Sequence, residues 1–400
     1  MDIGKIKCLI LDDSKVIRDL MKAITETELG VEASIVVESV DQAFQVLDNK
    51  EITVDVIFCD LNMPDVDGVE FLRLLAQRKY TGHIVIVSSV SHRVLKSVEQ
   101  LARTHHLNLL GTIIKPVSVQ SVKEMLLRMS SLEKKKVFQP SYERIKIHEL
   151  VKALEHDFFE CYYQPQVSAI SRKVVGFEVL SRLNHPTRGL ILPGTFISEL
   201  ERHLLIWELT KAQLIQVIQQ WTIWHERGEN YHVAVNISAV LLNDLDLPAF
   251  IIKQLAKHQM PAEYLTLEIT ESCLNDDVRT SLEVLSRLSM NGINLSIDDF
   301  GMGYSSIERL QGLPFNEVKI DQSFVQNATA AESERPVLDS MIGMAKRLGM
   351  KVVLEGVETL EHWRMVCHSG CDCFQGFFIA RPMSIKKLDQ WLRDWEAQTD

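Results

Sequence analysis

The stretch INLSIDDFGMGYSS, Ile293 to Ser306, decides how the chain is read. Residues suited to a buried strand run up to Asp298 and Asp299, and Gly301 and Gly303 follow where a turn is needed. Neighbouring side chains on a straight strand point to opposite faces, so two adjacent acids serve one site only where the strand ends and the backbone bends. The glycines allow that bend. Two carboxylates at a sheet rim repel each other and are costly to desolvate, and a hard divalent cation is the usual remedy. Taken alone, the stretch fits a metal site and a solvated turn with a polar N-cap equally well.

Its surroundings favour the metal. From about residue 143 to 400, eight strand candidates alternate with helical segments: FECYYQPQV, VVGFEVLSRL, YHVAVNIS, YLTLEITES, INLSIDDF, EVKIDQSF, KVVLEGVE and CDCFQGFFIA. That alternation fits a (β/α)8 TIM-like barrel, whose active sites lie at the carboxyl ends of the strands. Glu178, Asn236, Glu268, Asp298 with Asp299, Lys319, Glu355 and Gln375 stand on seven of these strands, within or at the end of mostly apolar segments. Isolated charges in buried strands are unexpected unless paired or bound to metal. Glu178, Asn236, Glu268 and Asp298 make an all-oxygen ligand set suited to Mg²⁺ or Mn²⁺, and Asp299 allows a second ion. Two ions about 3.5–4 Å apart are suited to an in-line phosphoryl displacement by water. Glu355 is then the candidate general base, and Lys319 orients the water or offsets negative charge.

This segment is similar to EAL-type cyclic-di-GMP phosphodiesterases. The resemblance is carried by YYQPQVS at 162–168, FEVLSR at 177–182, VNIS at 235–238, EITES at 268–272, DDFGMGYSS at 298–306, KID at 319–321, EGVE at 355–358 and QGF at 375–377. It implies cleavage of one phosphodiester of cyclic di-GMP to the linear dinucleotide pGpG. It also implies that Arg182 grips a substrate phosphate, that Gln164, Asp321 and Gln375 contact the dinucleotide, and that Glu271 and Glu358 support the loop after Asp299. Two positions depart from the family pattern: the name-giving triplet is EVL at 178–180, and Met302 stands where the loop commonly has Thr. The first keeps the glutamate, and the second bears on regulation or rate more than on the chemistry.

The first 129 residues read as a separate domain. KCLILDD at 7–13 is an apolar strand ending in Asp12 and Asp13, and SIVVES, VDVIFCD, HIVIVSS and LLGTIIK follow with amphipathic segments between them. Near-continuous apolar strands mark a parallel sheet covered on both faces, so the expected fold is doubly wound, flavodoxin-like α/β. Ligands in such sheets sit at the carboxyl ends of the strands, where Asp12, Asp13, Asp60, Ser88 and Lys115 converge. No glycine-rich phosphate loop follows the first strand, which removes the mechanism of dinucleotide binding. The acids suit Mg²⁺ instead, and a carboxylate can itself accept a phosphoryl group.

The arrangement resembles a two-component response-regulator receiver domain, carried by DD at 12–13, DLNMPDVDG at 60–68, VSS at 87–89 and KP at 115–116. By that resemblance Asp60 is the phosphoacceptor, Asp12, Asp13 and the Asn62 carbonyl hold one Mg²⁺, and Ser88 and Lys115 read the phosphoryl group. A sensor histidine kinase is the implied partner. The position commonly filled by an aromatic switch residue is Thr112, so phosphorylation is expected to be sensed differently or weakly.

Residues 130–142 read as a helix end and linker. The formal net charge of −11 argues against sequence-independent nucleic-acid or anionic-membrane binding. Seven scattered cysteines form no disulfide framework, and no apolar run reaches membrane-helix length, so a soluble, cytoplasmic protein is expected. Cys367, His368, Cys371 and Cys373 suggest zinc, but Cys371 and Cys373 share one face of a strand pattern and suit buried thiols. Trp207, Trp221 and Trp224 recur at near-helical spacing, as core residues do. Two rival functions remain beside hydrolysis: a non-hydrolysing cyclic-di-GMP receptor, and a phosphorylation-dependent scaffold. The intact ligand set with Lys319 and Glu355 favours the enzyme. Association into a homodimer or larger homo-oligomer is expected from both family resemblances.

Overall fold

The computed structural model describes residues 3–399 apart from 50, 65, 91, 106, 139–144, 272–277 and 302–311. Two compact units make up the chain, Met1–Tyr142 and Glu143–Asp400.

In the first unit, β1 (Lys7–Leu11), β2 (Ala33–Val37), β3 (Val56–Asp60), β4 (His83–Ser88) and β5 (Asn108–Ile114) form a parallel sheet in the order β2-β1-β3-β4-β5. Alternate residues of one strand feed two different cores, which is why the strands are apolar throughout rather than alternating. Leu9, Leu11, Ile57 and Ile84 pack on one side with Phe71 and Leu72. Cys8, Ile10, Phe58 and Val85 pack on the other with Val122 and Leu126. Each fully buried side chain of this size contributes roughly 1.5–3 kcal/mol. The doubly wound fold is the one expected.

Gly68 brings the next helix against the end of β3. The helix Gly68–Gln77 starts at Asp67, whose carboxylate accepts from the Glu70 N–H at 2.8 Å. A Cβ on Gly68 would lie 2.4 Å from the Asp60 carbonyl oxygen. Glycine therefore lets the helix begin in contact with the strand that presents Asp60.

The second unit closes a ring of eight strands: β6 (Phe159–Ser168), β7 (Val174–His185), β9 (His232–Asn236), β10 (Leu265–Thr270), β11 (Asn294–Phe300), β12 (Glu317–Ile320), β13 (Lys351–Leu354) and β14 (Cys373–Phe374). Short strands β8 (Gly189–Ile191) and β15 (Met383–Ser384) lie outside the ring, paired to β7 and β6. This is the expected TIM-like barrel with one difference. β6 runs antiparallel to both neighbours, β7 and β14. Only residues 169–173 join β6 to β7, too few for the helical crossover that a parallel pair needs.

The helix Ile206–Glu226 packs against the ring through Trp221 and Trp224, both buried. The Trp224 ring lies 5.1 Å from Phe177 and 5.5 Å from Tyr163, so these tryptophans are core, as their spacing predicts. Cys371 and Cys373 are also buried, and burial pushes each thiol up to about 11. They join no metal-ligating group among the described residues. No helix of the described residues is long and apolar enough to cross a membrane.

Candidate active site

In the first unit the strand ends bring Asp12 and Asp60 against Lys115. The Lys115 ammonium donates to Asp12 Oδ2 and Asp60 Oδ2, each at 2.8 Å. Burial alone lowers its affinity for a proton, but the two aspartates outweigh that and raise its pKa. Oxygens of Asp12, Asp13 and the buried Asp60 all lie within 4.8 Å of one another, which is the spacing one small cation would bridge. The Asn62 N–H donates to Asp60 Oδ1 at 3.2 Å, and the buried Ser88 Oγ accepts from Val90 N–H at 3.4 Å. Thr112 donates to Glu99 Oε1 at 3.0 Å, a fixed contact where the sequence lacks an aromatic switch.

The barrel site is built from the carboxyl ends of its strands. The register pairs Asn236 with Glu268 and Thr270 with Asp298, bringing their strand ends together at the mouth. The bend expected of the glycines begins two residues before the first of them. Asp299 itself has φ +55 and the β11–β12 register shifts between Ile297 and Phe300. Such a bulge re-aims side chains, and it lets oxygens of Asp298, Asp299 and Glu355 fall within 4.8 Å of one another. Gly301 completes the turn at φ +96, where a Cβ would stand 2.7 Å from the Phe324 ring. Its N–H donates to Glu271 Oε2 at 3.0 Å. Met302 lies outside the described residues.

Lys319 stands at the centre of the acids. Its Nζ is 3.2 Å from Glu178, 2.9 Å from Glu268, 3.1 Å from Asp298 and 2.8 Å from Glu355. Burial alone would lower this ammonium's pKa, but the four acids outweigh it and hold the pKa well above the ordinary lysine value. One lysine cannot compensate them all. Burial, then the Glu178 charge, keeps Glu268 well above the carboxylate range, and burial against the pull of Lys319 leaves Glu355 pushed up to about 7. Burial and Asp298 likewise raise Asp299. Glu178 is the exception: burial would raise it, but Lys319, Gln375 and Asn236 together bring it below the ordinary value.

These residues fit a divalent cation. Glu268 Oε1 is buried with no hydrogen-bond partner among the described residues, and the buried Asp298 Oδ1 has no hydrogen bond beyond its 3.1 Å ion pair with Lys319. Hard oxygen donors left over in a desolvated cluster with excess negative charge are what Mg²⁺ or Mn²⁺ coordinates. Asn236 spends its Nδ2 on Glu178 Oε1 at 2.9 Å, so its Oδ1 is the atom that could face an ion.

Gln375 is more deeply wired into the cluster than a substrate contact requires. Its amide donates to Glu178 Oε2 at 2.6 Å and to Glu355 Oε1 at 2.9 Å. Its own oxygen accepts from Gln166 at 3.1 Å. Gln166 is buried and is absent from the residues singled out in the sequence. A signal existed: Gln164 and Gln166 are two apart on β6, so they share a face, and Gln164 pairs in register with Glu178.

The remaining expected residues ring the mouth. Gln164 donates to the Ala380 carbonyl at 3.4 Å. Arg182 donates to the Ser181 carbonyl at 2.9 Å, with its guanidinium 5.6 Å from the Tyr162 ring centre. Asp321 caps the helix Gln322–Ala330 through the Ser323 N–H at 2.9 Å. Glu358 is exposed, and its N–H approaches His362 Nδ1 at 3.3 Å. A pocket of about 540 Å³ opens beside Glu178 and Asn236, lined in part by Ser181, Glu201, Thr210 and Ser238.

Residues 147–382 match the model of the EAL domain. The chain belongs to the EAL domain family. Residues 8–127 match the response regulator receiver domain, so the EAL domain here follows a receiver. A relative with similarity across nearly its whole length is the cyclic di-GMP phosphodiesterase RocR of Pseudomonas aeruginosa, 31% identical over 384 residues, which are 95% of this chain and 97% of RocR. The signaling protein YkoW of Bacillus subtilis is 36% identical over 259 residues, 64% of this chain but only 32% of YkoW. Among solved structures, the MucR phosphodiesterase in complex with c-di-GMP superimposes with a TM-score of 0.58 at 35% identity, covering 60% of this chain and 98% of that one. The shared EAL domain and the barrel geometry thus point to the same mouth.

Proposed function

We propose that the EAL domain hydrolyses one phosphodiester of cyclic di-GMP to linear pGpG, and that phosphorylation of Asp60 modulates this activity. The observation that carries the reading is the convergence of Glu178, Glu268, Asp298 and Glu355 on Lys319. The likeness to RocR, a cyclic di-GMP phosphodiesterase similar over both domains, supports it. In this reading Glu178, Asn236, Glu268, Asp298 and Asp299 hold two Mg²⁺ or Mn²⁺ ions, whose Lewis acidity polarises the phosphoryl oxygens and acidifies the attacking water. Glu355, poised by burial near neutral pH, accepts the proton of that water.

The water's oxygen bonds to phosphorus as the bond from phosphorus to the 3′-oxygen breaks, and that oxygen leaves and takes a proton from solvent to become a hydroxyl. Lys319 keeps its proton and offsets the charge that builds on the phosphoryl group. Arg182 grips a substrate phosphate as a charge-assisted donor. Gln164, Asp321 and Gln375 contact the dinucleotide, and the pocket beside Glu178 offers room for part of it. Glu271 and Glu358 support the loop after Asp299.

In the receiver, Asp12, Asp13 and the Asn62 carbonyl hold one Mg²⁺. Asp60 takes the phosphoryl group from a sensor histidine kinase, and Lys115 and Ser88 contact it. The receiver occupies residues 1–129, residues 130–142 link it to the EAL domain at 143–400, and the protein works as a homodimer or larger homo-oligomer without binding DNA. The test is turnover of cyclic di-GMP by purified full-length protein in Mg²⁺ or Mn²⁺, with Glu178→Ala as control. Formation of pGpG that vanishes in the variant is the expected result. Tight binding without turnover in either metal would replace the enzyme by a receptor.

A further inference from the structure

Below the acidic mouth the barrel interior carries polar residues that the proposed reaction does not use. Strand register sets Asn236, Glu268 and Ser296 side by side on β9, β10 and β11, then Ser296, Glu317 and Lys351 side by side on β11, β12 and β13. Partners across a parallel ladder share a face, and the faces alternate along each strand. Glu268 points into the barrel toward Lys319, so this row lines the interior. Barrel strands are staggered, and the row consequently descends. Glu268 lies near the carboxyl end of β10, whereas Glu317 and Lys351 open β12 and β13 at the opposite end.

Three successive members of the row hold a buried oxygen with no hydrogen-bond partner among the described residues: Glu268 Oε1, Ser296 Oγ and Glu317 Oε1. The residues are 1%, 0% and 4% exposed. Buried polar atoms are almost always satisfied, by protein or by ordered water. The protein offers cations elsewhere on the same acids: Lys351 Nζ is 2.7 Å from Glu317 Oε2, and Lys319 Nζ is 2.9 Å from Glu268 Oε2. With Lys351 already on Glu317, an uncharged donor suits the lower part of the row better than a further cation. Ser296 is short and sits between two longer acids, which leaves room between strands about 4.8 Å apart. Water matches the chemistry. It donates two hydrogens to carboxylate oxygens and accepts the serine O–H, near the three bonds typical of a buried water.

We propose that ordered water occupies this row, bridging Ser296 Oγ and Glu317 Oε1 and reaching Glu268 Oε1. Ser296 and Glu317 then act as positioning residues: they touch neither substrate nor ion, and they orient Glu268 from below through the water. Outer partners of this kind govern how well a carboxylate presents itself to a metal.

Crystallography of the full-length protein without added metal, at a resolution that orders water, is the direct test. Density peaks within about 3.2 Å of both Ser296 Oγ and Glu317 Oε1 are expected. A dry site, or oxygens bonded instead to protein groups, overturns the proposal. The positioning role is read by calorimetric titration with Mn²⁺ alone, on protein carrying Asp13→Ala to weaken the receiver cluster. Ser296→Val fills the space, whereas Ser296→Ala keeps it. The valine variant is expected to bind Mn²⁺ about tenfold more weakly, and the alanine variant within about threefold of the parent, given that its site can still hold water. Parent-like affinity in Ser296→Val overturns the positioning role. This second arm rests on the metal reading above. If the parent barrel itself binds no Mn²⁺, that reading fails, while the crystal structure still decides the water.

Discussion

Both units trap a lysine between carboxylates at the carboxyl ends of parallel strands, and burial makes the two sites different devices. Lys115 meets two aspartates and keeps 17% of its side chain exposed, and the exposed Asp13 stands close to those aspartates. Lys319 meets four carboxylates and keeps 1%. Near water, charges are screened and a pair can exchange partners at modest cost. In a desolvated centre the same pairing is far stronger, and removing one member strands the others. The open cluster thus suits a group that arrives and leaves, such as a phosphoryl. The closed one suits fixed electrostatic preorganisation, which catalysis of phosphoryl displacement requires.

The largest expected effect tests whether the closed cluster carries the chemistry. Glu178→Ala should lower turnover of cyclic di-GMP about a thousandfold, the scale of losing a preorganised charge-stabilising group, as read by chromatography of pGpG. A variant within tenfold of the parent would mean that the acids around Lys319 are structural. The next prediction sets the two lysines against each other. Lys319→Met should destabilise the barrel by about 3–5 kcal/mol, because four buried carboxylates lose their cation. Lys115→Met should cost its unit less, about 1–3 kcal/mol, because the lysine is partly solvated while only two buried aspartates lose their donor. All six tryptophans lie in the barrel segment, so denaturant unfolding followed by their fluorescence isolates that unit, and hydrogen exchange reports the other. Equal losses would erase the distinction drawn from burial.

Smaller effects sharpen it. Gln166→Leu leaves the Gln375 oxygen without its donor, which should cost about 1–3 kcal/mol in the same fluorescence assay. It should also slow turnover, since the Gln375 amide is then free to turn away from Glu178 and Glu355. Unchanged stability and rate would mean that Gln375 is held by the acids alone. Smallest of all, Thr112→Val removes a half-buried hydrogen bond to Glu99 and should cost about 0.5–1.5 kcal/mol. Phosphate incorporation at Asp60, followed with a small phosphodonor, should stay near the parent level. A large loss would make Thr112 part of the phosphoryl response.

Much of this was legible in the chain itself. Both fold types followed from the strand-helix alternation, and the candidate site was read from charged residues such as Glu268 and Lys319 in otherwise apolar strands. Gln166 was missed because a single polar residue on a strand says nothing of what lies across the barrel, and its partner Gln375 is distant in sequence. The bend at Asp299 was assigned to the glycines because φ above zero is their habit. An aspartate also tolerates that region, and here the register shift against β12 imposes it.

By itself, then, the sequence determined which residue types could be buried, where strands end, and which chemistry the acids invite, because periodicity and desolvation cost are local properties. Only the tertiary structure decided that β6 runs against its neighbours and that one lysine serves four carboxylates. It alone set Glu268, Ser296, Glu317 and Lys351 in one descending row. Those outcomes depend on register and stagger between strands, which are settled by closing the barrel as a whole.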